Sequence, residues 1–399
     1  MSQINKVELL APAGDLYRGK IAIDFGADAI YLGGQAYSLR ARASNFDFSA
    51  IEEISEYAHS RGRKIYLVVN VLNQNGMING FKGYLQEVMK YKPDAFIVSD
   101  PFVIKTISEN VPNAQIHIST QQSVSNSKAA LFFARNKCTR IILSREVQFK
   151  EVELLIKNVN HKIEIETFVH GAVCIAYSGR CMLSSNFCLR DANIGGCAQS
   201  CRWEMKLFDE NNKVYSEKFT MSAKDMCLIK KTDDLINAGI SSFKIEGRMK
   251  TEHYIATVVN AYRHIIDNHY DNKGDNQQFY DDVANAANRE TDLAWFNGQP
   301  GIDKMLYHDA EKTVKQNFAM TIKKKIDKDT YEVLTRNKIL LSNNYQILSA
   351  IQENIIPIKI KKIMNNGESV EAVSAPMSIV TITFDKDINL QENDIVRII

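Results

Sequence analysis

No run in the 399 residues approaches the ~20 consecutive apolar residues needed to cross a bilayer, which argues against a helical membrane span. A secretory leader is not expected either. Met1 to Lys6 is polar, and the apolar run behind it is broken by Glu8 and Pro12. The chain is therefore expected in a reducing cytosol, where structural disulfides are rare. Charge of one sign is scarce. The formal net charge of +2 points by itself to neither nucleic acid nor membrane, although a local patch would still allow RNA binding. No G-x-G-x-x-G follows the first strand, where Ala11-Pro12-Ala13-Gly14 stands instead, and this argues against a dinucleotide site. H-E-x-x-H and G-x-S-x-G are absent, as are low-complexity segments and repeats beyond the βα spacing.

What is present is a core-forming composition, 45% hydrophobic, enough to bury a large interior. Over residues 1–270 short β-rich runs alternate with amphipathic stretches. The strand candidates are Val7–Ala11, Ala29–Leu32, Lys64–Val69, Ala95–Ser99, Gln115–Ser119, Arg140–Ser144, Ile163–Phe168 and Ser242–Glu246. Between them Phe48–Arg61 places Ile51, Ile54, Tyr57 and Ala58 on one side of a helix, and Lys250–Asp267 reads as another. Eight βα units favour an α/β fold of the (β/α)8 TIM-like barrel type, with an open doubly wound sheet as the alternative, since a strand count does not show closure. Residues 271–317 read as a polar connecting segment, with Leu293–Tyr307 as a loop. Residues 318–399 carry short alternating runs, Met320–Lys324, Thr330–Leu334, Ile355–Ile363, Ile379–Phe384 and Ile395–Ile399, and are expected to form a small all-β barrel domain.

One interruption stands out. Residues 169–241 separate the seventh strand from the eighth, so this insertion should emerge at the C-terminal face of a barrel, where active sites sit. Six of the seven cysteines lie inside it: Cys174, Cys181, Cys188, Cys197, Cys201 and Cys227. Thiolates in this number suit an iron–sulfur cluster or zinc. Only Cys197 and Cys201 approach the knuckle spacing of a zinc site, which makes zinc the weaker metal. The plain alternative is a set of small buried hydrophobes in a glycine-bearing loop. Gly171, Gly179, Gly195 and Gly196 would let backbone approach a cluster, and Arg180, Arg190 and Arg202 could offset thiolate charge.

Several motifs carry a resemblance. The stretch from Glu166-Thr-Phe-Val-His170-Gly-Ala-Val-Cys174 through Cys181-Met-Leu-Ser184 resembles the signature of the collagenase-like peptidases of unknown catalytic type. Glu8-Leu-Leu-Ala-Pro-Ala-Gly14, Gly26-Ala-Asp-Ala-Ile-Tyr-Leu-Gly-Gly34, Arg190-Asp-Ala-Asn193, Cys197-Ala-Gln-Ser-Cys201-Arg-Trp203 and Phe243-Lys-Ile-Glu-Gly-Arg-Met-Lys250 extend it in order. Within that family the chain is most similar to the branch of prephenate-dependent tRNA uridine hydroxylases. The resemblance implies oxygen-independent hydroxylation of a wobble uridine at C5 in tRNA, with prephenate as hydroxyl source. It also implies a [4Fe–4S] cluster on Cys174, Cys181, Cys197 and Cys227, with Cys201 as the alternative to Cys197. Cys188 and Cys138 are then packing residues.

Strand alternation puts Glu164 and Glu166 on one face of the seventh strand, and Glu166 is expected in the pocket near its C-terminal end. His170, just beyond, reads as an acid/base or RNA-contacting group, or as a structural histidine. A dianion such as prephenate calls for guanidinium forks, and Arg40, Arg42, Arg145 and Arg248 follow strands. Asn70, Gln121 and Glu246, also at strand ends, are candidates for orienting a ligand. Lys323-Lys324-Lys325 and Lys359, Lys361 and Lys362 are short basic clusters that suit RNA or simply a solvated face. Two other readings stand beside the hydroxylase: a peptidase with a cysteine nucleophile paired to His170, and a non-catalytic member of a paralogous pair of subunits.

Overall fold

The computed structural model describes residues 6–39, 45–307, 317–350 and 355–399. Seven parallel strands follow in order: β1 (Glu8–Pro12), β2 (Ala29–Gly33), β3 (Lys64–Val69), β4 (Ala95–Val98), β5 (Ile116–Ile118), β6 (Arg140–Ile142) and β7 (Glu164–Gly171). The insertion then contributes β8 (Met205–Phe208), β9 (Val214–Phe219), β10 (Ser222–Ala223) and β11 (Asp225–Cys227) before the eighth barrel strand, β12 (Ser242–Ile245). Phe243 of β12 is in register with Leu9 of β1 on one side and Thr167 of β7 on the other, so the sheet closes on itself. Closure excludes the open sheet.

Among the described residues eight helices cover the barrel: α1 (Leu16–Asp24), α2 (Phe48–His59), α3 (Asn75–Val88), α4 (Pro101–Asn110), α5 (Ser127–Arg135) and α6 (Phe149–Val159), then, past α7 (Leu183–Cys188) in the insertion, α8 (Thr232–Ala238) and α9 (Glu252–Asp271). Local chemistry sets where they start. Asp15, Asp47 and Asp100 accept backbone N–H bonds from Arg18, Ala50 and Phe102, and Pro101 needs no donor in the first turn. With helices outside and side chains filling the lumen, the strands are apolar and buried on both faces, as β2 and β4 are throughout.

The segment after α9 is more ordered than a linker. α10 (Gln277–Ala286) buries Val283 and Ala286, β13 (Thr291–Asp292) pairs with β11, and β14 (Met305–Leu306) pairs with β10. Its polar composition hides this because only one helix face is apolar and the two strands are minimal. The C-terminal strands are β15 (Asn317–Asp327), β16 (Thr330–Thr335), β17 (Ile339–Leu340), β18 (Tyr345–Leu348), β19 (Ile356–Ile358), β20 (Ile360–Asn365), β21 (Glu368–Val370), β22 (Ala372–Val373), β23 (Ile379–Phe384) and β24 (Ile395–Ile398). Eight of them make one antiparallel sheet in the order β19-β18-β24-β15-β16-β23-β20-β21, around a core of its own; among the described residues no pairing joins β19 to β21. This domain docks on the barrel through the fully buried Arg397, whose Nη2 donates to Asp282 of α10 at 2.9 Å, and through the His253–Phe318 ring stack.

Candidate active site

The C-terminal ends of the strands converge on a guanidinium–carboxylate pair. Arg145, after β6, lies over the Phe168 ring at 3.8 Å and reaches Glu246 with its Nη2 at 3.4 Å. Burial strengthens this pair, since both side chains are largely shielded from water. Gly171, at φ +110°, lets β7 pass directly beside Glu246; a Cβ there would collide with the Glu246 carbonyl. Arg248 is buried and bonds Ser38 Oγ at 3.5 Å and Asn45 Oδ1. Asn70 accepts from the Leu39 N–H at 3.2 Å and donates to Ser119 Oγ at 3.1 Å. Gln121 sits on the neighbouring 3-10 turn, its carbonyl against Gly179, which has φ +73° and no room for a side chain. Five sequence-level candidates, Asn70, Gln121, Arg145, Glu246 and Arg248, therefore follow the C-terminal ends of barrel strands. Arg40 and Arg42 lie outside the described residues.

The thiols divide into two sets. Cys174 is influenced electrostatically by Cys181 and Cys197, and Cys201 by Cys174, Cys197 and Cys181. Cys174 is accessible yet crowded by the wall of a cleft. Desolvation pushes its thiol up, and the Arg145 guanidinium opposes that. Desolvation likewise raises Cys201, against the pull of Arg202. Arg202 also clamps this region: its guanidinium donates to Ser222 Oγ, to the Ala223 carbonyl at 2.7 Å and to the Val173 carbonyl at 3.0 Å. One side chain thus ties the Cys201 turn to the loop after β7 that carries Cys174.

Cys227, expected as a ligand, stands apart from the other three expected thiols. Strand β11 runs antiparallel to the end of β7, with Cys227 opposite His170, and its thiol bonds Tyr262 of α9. The groups acting on it are Ile229, Tyr262 and Lys230, none of them a cysteine. Cys201, by contrast, is under the electrostatic influence of Cys174, Cys197 and Cys181. Four free thiols on glycine-bearing loops are the right donor type and number for a [4Fe–4S] group. Among the described residues no three His, Cys, Asp or Glu side chains are drawn together around a common centre.

Glu166 is also misplaced by sequence reasoning. Strand β7 continues to Gly171, so Glu166 lies near its N-terminal end, opposite Ile142 and Ser242, at the far end of the lumen from the mouth. There it is fully buried, bonded to Arg140 Nη1 at 3.2 Å and Lys244 Nζ at 3.0 Å. Arg140 also reaches Glu8 at 2.5 Å, and Tyr66 donates to Glu8 at 2.6 Å. This is a closed ion network that plugs the barrel floor.

His170 turns out of the lumen toward α9, its ring against Tyr254 and Tyr262, with Tyr262 Oη 3.5 Å from Nδ1. Burial lowers its pKa to about 4, and burial lowers that of His253 to about 3. Neither is charged at neutral pH. The peptidase reading is weakened on both sides, since His170 bonds a tyrosine and the Cys227 thiol opposite it is pushed up rather than activated. A pH dependence follows. Unfolded histidines take a proton below about 6.5 while these two stay neutral until far lower. Stability is therefore complete above that value and falls as pH drops toward about 4, by up to ~1.4 kcal/mol per pH unit for each histidine. Urea denaturation at pH 7 and pH 5 checks this; equal unfolding free energies at the two pH values would deny the buried neutral imidazoles.

A second feature was not foreseen. Beside Cys174 a cavity of about 400 Å³ opens between the Val173–Tyr177 loop and the segment around Trp295, with Glu146 in its wall. No motif marks these residues, because they meet only through tertiary packing. The Lys323–Lys325 and Lys359–Lys362 clusters lie on the separate β domain, and Lys324, Lys325, Lys359, Lys361 and Lys362 are exposed there.

A closed (β/α)8 barrel with a thiol-bearing loop and a charged pair at its mouth has the layout of barrel proteins whose chemistry sits on the C-terminal face. The chain belongs to peptidase family U32. The family domain matches residues 14–306, and the peptidase family U32 C-terminal domain matches residues 315–397. It is 39% identical over 396 residues to tRNA hydroxylation protein P1 of Bacillus subtilis (strain 168), covering 96% of this chain and 93% of that protein. It is 31% identical to tRNA hydroxylation protein P of Haemophilus influenzae, covering 96% and 95%. Over 272 residues it is 34% identical to the 23S rRNA 5-hydroxycytidine C2501 synthase of Escherichia coli (strain K12), covering 68% of this chain and 41% of that one. No helix among the described residues is long and apolar enough to cross a membrane.

Proposed function

We propose that this chain is an RNA-hydroxylating enzyme that converts a wobble uridine of tRNA to 5-hydroxyuridine without oxygen, using prephenate as hydroxyl source. The carrying observation is Cys174 beside Arg145 and Glu246 at the barrel mouth, with Cys181, Cys197 and Cys201 within electrostatic reach of one another around it. Relatives named for tRNA hydroxylation, similar over nearly the whole chain, support the RNA substrate.

In this reading the four thiols hold a [4Fe–4S] cluster. When bound, it supplies electron transfer or polarisation of a bound group. The chain's own residues do the positioning. Arg145, held over the Phe168 ring, offers its fork to a carboxylate of prephenate, and Glu246 holds the fork in place. Arg248, Asn70 and Gln121 line further strand ends, and the uridine is presented out of its stack. Arg145→Lys is expected to raise KM for prephenate by about tenfold with a smaller change in kcat, because an ammonium cannot form the bidentate bond. An unchanged KM in steady-state kinetics would place the carboxylate elsewhere.

The direct genetic test is nucleoside mass spectrometry of tRNA from cells lacking this gene and any paralogue. Loss of 5-hydroxyuridine and its derivatives is expected; unchanged levels would overturn the function.

A further inference from the structure

We infer that the cavity beside Cys174 is the seat of the flipped base, and that Glu146 is the residue that reads a uracil ring there by accepting its N3–H. This rests on the RNA-hydroxylase reading and gives that site its substrate pocket.

Three observations select the ligand class. The cavity, about 400 Å³, falls in the small-molecule range and its wall includes Cys174, so its occupant sits next to the thiol group. Two aromatic rings meet in it, Tyr177 and Trp295, with centroids 6.2 Å apart and planes tilted by 55°. That spacing is too small to sandwich a third ring. A flat ligand stacks on one of the two and meets the other edge-on. Both rings are anchored from behind. Phe296 stacks on Phe149 at 4.7 Å and holds the Trp295 backbone to α6, while Ser178, next to Tyr177, donates its N–H to Glu146 Oε1 at 3.0 Å.

The charges are equally specific. The cations in the wall are already matched: Lys224 pairs with Glu290 at 2.9 Å and Lys304 with Asp292 at 2.7 Å. Among the described residues the cavity therefore offers no uncommitted cation for a phosphate or a dicarboxylate. Glu146 is the reverse case. Its Oε1 is bonded to Ser178, whereas Oε2 is shielded from water and has no hydrogen-bond partner among the described residues. A shielded, unpartnered carboxylate oxygen favours a ligand N–H strongly, because the bond is charge-assisted and replaces none to water. A flat neutral ring with an N–H on its edge meets all three conditions, and uracil presents its N3–H in this way. The anionic co-substrate is left to the Arg145 side of the mouth.

The test uses the full chain with the substitution Trp203→Phe, which leaves Trp295 as the only tryptophan. Its fluorescence is titrated with an anticodon stem-loop carrying uridine, 3-methyluridine or an abasic site at the wobble position. Quenching is expected with uridine and not with the abasic loop. 3-Methyluridine should bind about tenfold or more weaker, and Glu146→Gln should shrink that difference severalfold. Read instead by the anisotropy of a fluorescein-labelled loop, Trp295→Ala should weaken binding by about tenfold, with Trp295→Phe restoring it, which a merely unfolded variant would not do. Equal quenching by uridine and abasic loops, or undiminished discrimination in Glu146→Gln, overturns the pocket. If wild-type protein hydroxylates tRNA but shows no uridine-dependent quenching, the pocket alone is wrong. Quenching without any hydroxylation contradicts the hydroxylase reading instead.

Discussion

Cys201→Ser should lose bound iron and RNA hydroxylation together, with activity falling more than about a hundredfold, while Cys227→Ser keeps both. The magnitude follows from ligand chemistry: removing even an outer-shell partner of a metal ligand costs 10- to 100-fold, and a ligand itself costs more. The contrast between the two cysteines is geometric. Cys201 is under the electrostatic influence of Cys174, Cys181 and Cys197, and Arg202 ties its turn to the Val173 carbonyl. Cys227 faces Tyr262 on the other side of β7. Iron and sulfide analysis of the two variants, purified without oxygen, reads the difference. Iron retained in Cys201→Ser and lost in Cys227→Ser would restore the ligand set expected from motif alone.

Glu166→Ala should destabilise the fold by about 3–5 kcal/mol, since it leaves Arg140 and Lys244 facing one another in the barrel floor without the carboxylate between them. Burial already works against the charge on Lys244, lowering its pKa, and Glu166 is what opposes that. Glu166→Gln should fall between, keeping shape and one acceptor. The readout is the free energy of urea unfolding alongside activity per folded molecule. Unchanged stability with lost activity would return Glu166 to the reaction; lost stability with normal activity in the folded fraction confirms a structural part.

The barrel was legible because its signal is local. Each strand is a short β-rich run, each helix has one apolar face, and eight repeats of that pattern leave few other arrangements. Closure was not legible, since it depends on Phe243 pairing with both Leu9 and Thr167, residues far apart in sequence. The same limit explains why Glu166 lies away from the mouth and why, of the two readings of His170, its packing fits the structural one. The β-rich run of the seventh strand ends at Phe168, but Val169, His170 and Gly171 continue the strand because β11 returns to pair with its end. That extension drops Glu166 to the floor and turns His170 toward α9.

The cluster of cysteines in the insertion is readable from composition, and the resemblance names Cys174, Cys181 and Cys197 among them. The reading that adds Cys201 and sets Cys227 apart draws on the fold. Spacing along the chain cannot tell which side of β7 a thiol on an antiparallel return strand will face. Glu146 and Trp295 carried no signal at all: one follows a candidate arginine directly, and the other lies in a segment whose Gly298, Pro300 and Gly301 read only as a loop. They become a pocket because β13 and β14 bring that segment back to the barrel mouth.

The most direct measurement is nucleoside mass spectrometry of uridine-bearing tRNA incubated under nitrogen with the anaerobically purified protein, a reductant and prephenate. Accumulation of 5-hydroxyuridine that requires prephenate and disappears in Cys201→Ser is expected. Absence of 5-hydroxyuridine with protein shown to carry four irons per chain, or equal product from Cys201→Ser, would contradict a cluster-dependent uridine hydroxylase at this barrel mouth.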